Sequence, residues 1–594
     1  MKDFLKYTLA TITGIVVILL IVFFSGLVIL FSALSPSNSE TRVEKNSVMA
    51  LHLNGVIEER STSDPWSYIM GNTTSSIGLN DILTSIKKAK ENDKIKGIYI
   101  LGTSTLSASP SSLQEIHDAL IDFKESGKFI VSYADNYSQG SYYLASVADK
   151  VMMNPQGMLE WQGMELETMF YKELLDKVGV EMQVFKVGTY KSAVEPYILN
   201  EMSDANREQL TEIVNSIWNN ITEDVSESRH LSKEKLNELA DKVLMFHPAT
   251  EAVSNGMLDT LIYKNDVRDY LKKMAGIDQD ANLHLLGISE MVNVNRNVPK
   301  DKSGNIIAVY YAAGEIDGTS IVNIGSSSGI NSEKVISDLR KLKEDKDVKA
   351  VVLRVNSPGG SAYGSEQIWY AIKQLKEEKP VIVSMGDYAA SGGYYISCGS
   401  DLIVAEPTTL TGSIGIFGLI PNAQKLKEKF GVNIQSVKTN EHADIQSTEM
   451  LTRPMTESEK GLMQMYVNNG YDLFTTRVAD GRNLSKTRVD EIGQGRVWTG
   501  ERAKELGLVD ELGGIDKAIS IAVERAGIEK YTLLTYPEGE SMLSKLMNNN
   551  PTKYVRSSLL KSKFGDLYYQ YEFVNNFSIN DMLQMRMPYE LDIH

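Results

Sequence analysis

From Thr8 to Ser35 the chain carries no charged side chain, and the stretch from Ile12 to Leu34 is dominated by Ile, Val, Leu and Phe. At about 1.5 Å per residue, some 20 such residues cross a hydrocarbon core, so this run predicts one membrane-spanning helix. Lys2 and Lys6 precede it, which places the short amino terminus in the cytoplasm and the rest of the chain across the membrane. The competing reading is a cleaved secretory signal. Its apolar region would be shorter, about 7–15 residues, and Ser32-Ala-Leu-Ser35 is a poor cleavage site. Residues 1–35 are therefore read as cytoplasmic stub and anchor, and 36–45 as a polar linker.

Beyond the linker, apolar positions fall into short β-branched runs separated by stretches with helical spacing. The pattern predicts strands over Ile306–Tyr311, Ala350–Val355 and Pro380–Met385, and helices over Ser332–Glu344, Ser365–Glu378 and Ser391–Ser400. In Ser332–Glu344, Val335, Ile336, Leu339 and Leu342 share one face. Strands rich in Val and Ile with little alternation indicate parallel sheets covered on both faces, an α/β fold.

The same pattern occurs twice. Val131-Ser-Tyr-Ala-Asp-Asn-Tyr-Ser-Gln-Gly-Ser-Tyr-Tyr-Leu144 matches Val383-Ser-Met-Gly-Asp-Tyr-Ala-Ala-Ser-Gly-Gly-Tyr-Tyr-Ile396, and the match continues through Asp149 and Asp401 to Asn154-Pro155 and Glu406-Pro407. The chain is thus read as two tandem α/β units, residues 46–300 and 301–535. The tail, 536–594, matches nothing that carries chemistry.

Composition narrows the classes. At 594 residues the chain is too long for a single ordinary core. A net charge of −16 argues against a general nucleic-acid surface, since phosphate binding requires the opposite sign. Cys398 is the single cysteine, so there is no internal disulfide and no cysteine-rich metal site; the histidines are scattered without ligand spacing. No metal or cofactor is expected.

Two segments of the second unit carry candidate chemistry. The strand 350–355 ends in Asn356-Ser-Pro-Gly-Gly-Ser361, where paired glycines permit positive φ and close approach to backbone N–H groups. The next strand runs into Ala389-Ala-Ser391-Gly-Gly-Tyr-Tyr395, which puts Ser391 at a strand-to-helix junction. With N–H groups at Gly360 and Gly392 it has a nucleophile and an oxyanion hole, the parts acyl transfer needs. Ser391 could equally be a helix cap. The first unit weighs against that, having Gln139 at the equivalent position and no glycine pair around Ser104. It does carry Val187-Gly-Thr-Tyr-Lys191-Ser-Ala-Val-Glu-Pro196, whereas the second unit has Val437-Lys-Thr-Asn-Glu-His442 at about the corresponding place. A lysine serves as a base when burial lowers its pKa from about 10.4; on spacing alone, an exposed loop residue is the better reading of Lys191. His442 with Asp444 or Asp387 offers a Ser-His-Asp alternative, although Asp387 recurs as Asp135 in the first unit and reads as structural. Cys398, Tyr394 and Tyr395 read as packing residues.

At this point the chain resembles the signal peptide peptidase A family in its long, two-domain form, peptidase family S49, with units like the ClpP/crotonase superfamily. The motifs are Tyr190-Lys-Ser-Ala-Val-Glu-Pro196, Asn356-Ser-Pro-Gly-Gly-Ser361, Ala389-Ala-Ser-Gly-Gly-Tyr394 and Thr411-Gly-Ser-Ile-Gly415. The resemblance implies a serine endopeptidase with Ser391 as nucleophile, Lys191 as general base, Ser413 holding the lysine amine, and Gly360 and Gly392 binding the oxyanion. It further implies leftover signal peptides and other short or unfolded apolar segments as substrates. A homotetrameric bowl is expected, in the cytoplasmic (inner) membrane with its catalytic part on the periplasmic side. A crotonase-like coenzyme A thioester enzyme is the rival from a different class.

Overall fold

The computed structural model describes residues 2–34, 40–61, 76–295, 303–317, 329–447, 449–538 and 583–587. Lys2–Leu34 forms a single helix of 33 residues. The expectation of a membrane span is met as to the helix and not as to the span. Among the described residues no helix is long and apolar enough to cross a membrane.

Each repeat builds a mostly parallel sheet. The first sheet runs, in spatial order, Leu285–Leu286, Ser47–His52, Ile95–Leu101, Phe129–Ala134, Lys150–Met153 and Thr260–Leu261, with every pairing parallel. The second runs Val497–Thr499, Leu410–Gly412, Val381–Ala390, Val348–Ser357, Ile306–Ala313 and Thr532–Tyr536, antiparallel only at its first pair. The strands are buried along nearly their whole length, which is why their sequences do not alternate. The helix Ser332–Glu344 lies where its periodicity places it and buries Val335, Leu339 and Leu342. Each such side chain contributes roughly 1.5–3 kcal/mol.

The duplication extends to individual hydrogen bonds. Tyr142 donates its hydroxyl to the Met257 carbonyl, and Tyr394 does the same to Leu508. Asp149 accepts from the Ile130 N–H, and Asp401 from that of Val381. Helices Asp204–Arg229 and Glu457–Arg482, 26 residues each, are capped by Ser203 and Thr456 and end in left-handed His230 and Asn483.

A third sheet joins the repeats. Its order is Ile330–Asn331, Ile316–Asp317, Gly359–Ser361, Leu583–Arg586, Ile416–Asn422 and Glu181–Val187. The last strand belongs to the first repeat and pairs antiparallel with Ile416–Asn422 over seven residues, from Ile416–Val187 to Asn422–Glu181. It acts as an arm that reaches across to the second repeat.

Candidate active site

Three local structures converge at the end of that arm. The strand Val381–Ala390 runs five residues beyond the expected Met385, because Tyr388, Ala389 and Ala390 pair with Leu410–Gly412. Ser391 follows with φ 56° and ψ −113°, an uncommon conformation for a residue with a Cβ, and the helix begins at Gly392. Its N–H is fixed by the Gly412 carbonyl at 2.8 Å. The hydroxyl makes no capping bond, so the capping alternative falls. In the first repeat the cap is Ser138, which accepts from Ser141 N–H, and Gln139 is instead bonded to the backbone of Gln162 and Gly163.

The lysine arrives from the other repeat. After the arm, Gly188 at φ 109° lets the chain pass against Gln494, and Tyr190 N–H donates to the Gln494 carbonyl at 2.9 Å. The chain then winds through Ser192–Val194 and Glu195–Ile198, where Glu195 accepts from the Ser203 hydroxyl at 2.6 Å. Lys191 is wholly buried. Its Nζ lies 2.8 Å from Ser391 Oγ, 3.0 Å from Ser413 Oγ and 3.4 Å from the Ser413 carbonyl. Burial alone pushes its pKa down to about 7. Ser413 is itself held at φ 49°, with its N–H on the Arg496 carbonyl at 2.7 Å.

The glycine loop meets the same point. Gly359 and Gly360 have φ 109° and 147°. A Cβ on Gly360 would stand 2.1 Å from the Ile316 carbonyl oxygen, so no other residue fits. A Cβ on Gly392 would stand 3.3 Å from the Gly360 nitrogen, so the two loops touch backbone to backbone. The Gly359 N–H is already given to Ser357 Oγ at 3.2 Å. Gly392, first in its helix, has no intrahelical partner for its N–H.

The remaining candidates lie elsewhere. His442 contacts Ser458 across 3.2 Å rather than Ser391. Asp387 accepts from Ser112 and from Asn356, a structural role. Cys398 is buried with its thiol pushed up to about 12, which removes it as a nucleophile. Sequence reasoning missed Gly495 (φ 77°), where a Cβ would stand 2.6 Å from Lys191 Cβ, and Gln209, which donates to the Tyr190 carbonyl and Ser192 Oγ. Neither bears reactive chemistry, and both become visible only through what they touch.

The sequence profile of Peptidase family S49 matches residues 122–278 and again 373–529. The chain belongs to that family. The profile of the Clp protease family also matches residues 308–404 of this S49 peptidase. Protease 4 of Haemophilus influenzae is 35% identical over 524 residues, covering 84% of this chain and 83% of its own length. Protease 4 of Salmonella typhi is 36% identical over 528 residues, covering 86% and 83%. The chloroplastic serine protease SPPA of Arabidopsis thaliana is 31% identical over 512 residues, covering 85% and 74%. The S49 peptidase described here is a long, two-repeat member and a serine endopeptidase.

Proposed function

We propose that this endopeptidase works by a Ser391–Lys191 dyad. A neutral lysine amine has two N–H donors and one lone pair. With the donors on Ser413 Oγ and the Ser413 carbonyl, the lone pair is left for the Ser391 hydroxyl, 2.8 Å away. That contact, between a wholly buried amine and a serine from the other repeat, is the observation that carries the reading. The amine takes the Ser391 proton as Oγ attacks a peptide carbonyl. Gly360 and Gly392 N–H groups hold the oxyanion, and the amine returns the proton to the leaving nitrogen. Water then resolves the acyl-enzyme with the lysine again as base. A coenzyme A thioester hydratase would have no need of a base carried across on an arm from the other repeat.

Signal-peptide remnants and other extended apolar segments suit the site as substrates, a reading supported by family membership. Membrane anchoring is supported by the amino-terminal helix: Ile18, Leu19, Ile21 and Val22 are 62, 62, 59 and 63% exposed, an apolar surface that water disfavours. The flanking Lys2 and Lys6 support a peptidase portion on the far side of the inner membrane. Assembly as a homotetramer rests on the family resemblance.

Peptide cleavage by the full chain tests the dyad. Ser391→Ala and Lys191→Ala are each expected to lose at least about a hundredfold in kcat/KM, the scale of removing a nucleophile or base. Lys191→Arg is expected to fail equally, since a guanidinium stays charged. Full activity in Lys191→Ala would remove the lysine from the mechanism.

A further inference from the structure

Arg496 belongs to the second repeat, yet it holds residues of both. Its carbonyl accepts the Ser413 N–H at 2.7 Å, and Ser413 is the residue whose hydroxyl and carbonyl receive the Lys191 amine. Its guanidinium lies over the ring of Tyr190, the residue immediately before Lys191, with its central carbon 4.4 Å from the ring centroid. Trp498 flanks the same guanidinium at 4.5 Å. A planar, delocalised cation can lie between two rings in this way, which an ammonium cannot.

The guanidinium is aimed from the first repeat. Its Nη2 donates to Glu208 at 2.9 Å and to Glu212 at 2.8 Å, two carboxylates one turn apart on the helix Asp204–Arg229. Without a cation between them their like charges would repel. Glu208 also accepts from the Tyr190 hydroxyl at 3.3 Å. Gln209, next on that helix and 1% exposed, donates to the Tyr190 carbonyl at 3.2 Å and accepts the Val497 N–H at 3.3 Å. With its N–H on the Gln494 carbonyl, Tyr190 is held at its ring, hydroxyl, N–H and carbonyl. Such density of contact is more than stability needs: Glu208 and Glu212 are 52% and 56% exposed, and ion pairs at that exposure contribute little. The Lys191 amine, by contrast, has no carboxylate partner among the described residues, so its place depends on the backbone that carries it.

We propose that Arg496 is a positioning residue for the peptidase reaction: stacked on Tyr190 and bonded through its carbonyl to Ser413, it keeps the Lys191 amine buried and within reach of Ser391. Glu208 and Glu212 hold the guanidinium in its place. The proposal rests on the dyad reading for what the lysine does, and adds to it what sets the base across the two repeats. Arg496 acts through Tyr190 and Ser413 and takes no part in the proton transfer.

Two measurements on the full chain separate position from chemistry. In the first, Ser391→Ala is acetylated with acetic anhydride at about pH 10, where a good share of every lysine amine is neutral and the rate reads access. The modified fraction at Lys191 is read by mass spectrometry. Lys128 and Lys379, whose amines sit on the Ala89 and Leu342 carbonyls, report in the same sample whether each repeat stays folded. In the second, fluorophosphonate labelling of Ser391 is followed against pH in the chain with its serine intact. Arg496→Met removes the planar cation, and Tyr190→Leu removes the ring beneath it. Each is expected to raise Lys191 acetylation several-fold relative to the two reference lysines, and to slow labelling at least about tenfold. The labelling midpoint should move up from near 7, because burial is what holds the amine down. The double substitution should add little to either single one, since both remove one contact. Unchanged relative reactivity of Lys191 in both variants would overturn the proposal, whatever happens to labelling. Raised reactivity with unchanged labelling would uphold the positioning role and sink the dyad reading instead.

Discussion

Lys191 brings no carboxylate with it, and that decides its chemistry. Burial is the cause of its lowered pKa, and the groups around the amine are hydroxyls and a carbonyl. The folded chain therefore holds this proton only below about 7, whereas the unfolded chain keeps it up to the ordinary lysine value of 10.5. Between those limits unfolding takes up a proton, so the group makes stability rise with pH. Lys191→Met removes the titrating amine, and its Tm is expected to climb less across pH 7–10 than that of the parent. An identical slope in both chains would contradict a neutral buried amine. Ser413→Ala withdraws an acceptor that favours the charged form. The kcat/KM profile should then shift to lower pH while its plateau falls roughly tenfold; a shift to higher pH would mean Ser413 acts otherwise. Comparison of the repeats singled out Ser391, whereas Lys191 came from the family resemblance, its spacing alone being that of an exposed loop residue. The preference for Gly360 over Gly359 had no physical reason in the sequence; the structure adds that the Ser357 hydroxyl already takes the Gly359 N–H.

The geometry at the element level comes from turns more than from helices and strands. Buried runs and helical spacing fixed the positions of the main elements, Ser332–Glu344 to the residue. They could not reveal that Val381–Ala390 continues up to Ser391, because its last residues are held by pairing with a strand yet to come in the chain. Nor could they reveal the turn at Gly495, whose role depends on the Lys191 backbone 300 residues upstream lying against it. Gly495→Ala is expected to cost about 1 kcal/mol for its left-handed φ and, by displacing Lys191, at least tenfold in kcat. Measuring kcat beside the urea midpoint separates these effects. Unchanged kcat with lowered stability would show that the turn is only structural. The tail strand had no signal of its own. Four residues that pair with backbone on both sides require no distinctive sequence beyond alternating apolar positions.

For the whole molecule, the site exists only if the two repeats are held in register. Arg354, on the strand leading to the glycine loop, is 1% exposed and bridges them. It donates to Glu59 at 2.9 Å and to Glu115 at 2.7 Å, both in the first repeat, and to Ser384 Oγ in its own. Asn356 extends the network from Glu59 to Asp387, just before the strand end that bears Ser391. Removing the cation strands two buried carboxylates, so Arg354→Met is expected to destabilise the chain by about 3–5 kcal/mol, read from urea unfolding. No loss of stability would show that the bridge does not hold the repeats together. The duplication was legible from one segment, and mirrored bonds such as Tyr142–Met257 and Tyr394–Leu508 show how far it extends. The crossing arm was not legible, because Glu181–Val187 finds its partner residues 229 to 241 positions away.

The most direct measurement is the rate at which a small fluorophosphonate labels Ser391 in the full chain, followed from pH 5 to 10 with and without Lys191→Met. A Ser391 activated by a buried neutral amine should label with a sigmoidal rise centred near pH 7, and at least a hundredfold more slowly once the amine is gone. A midpoint near 10, or a rate indifferent to the substitution, would contradict the dyad.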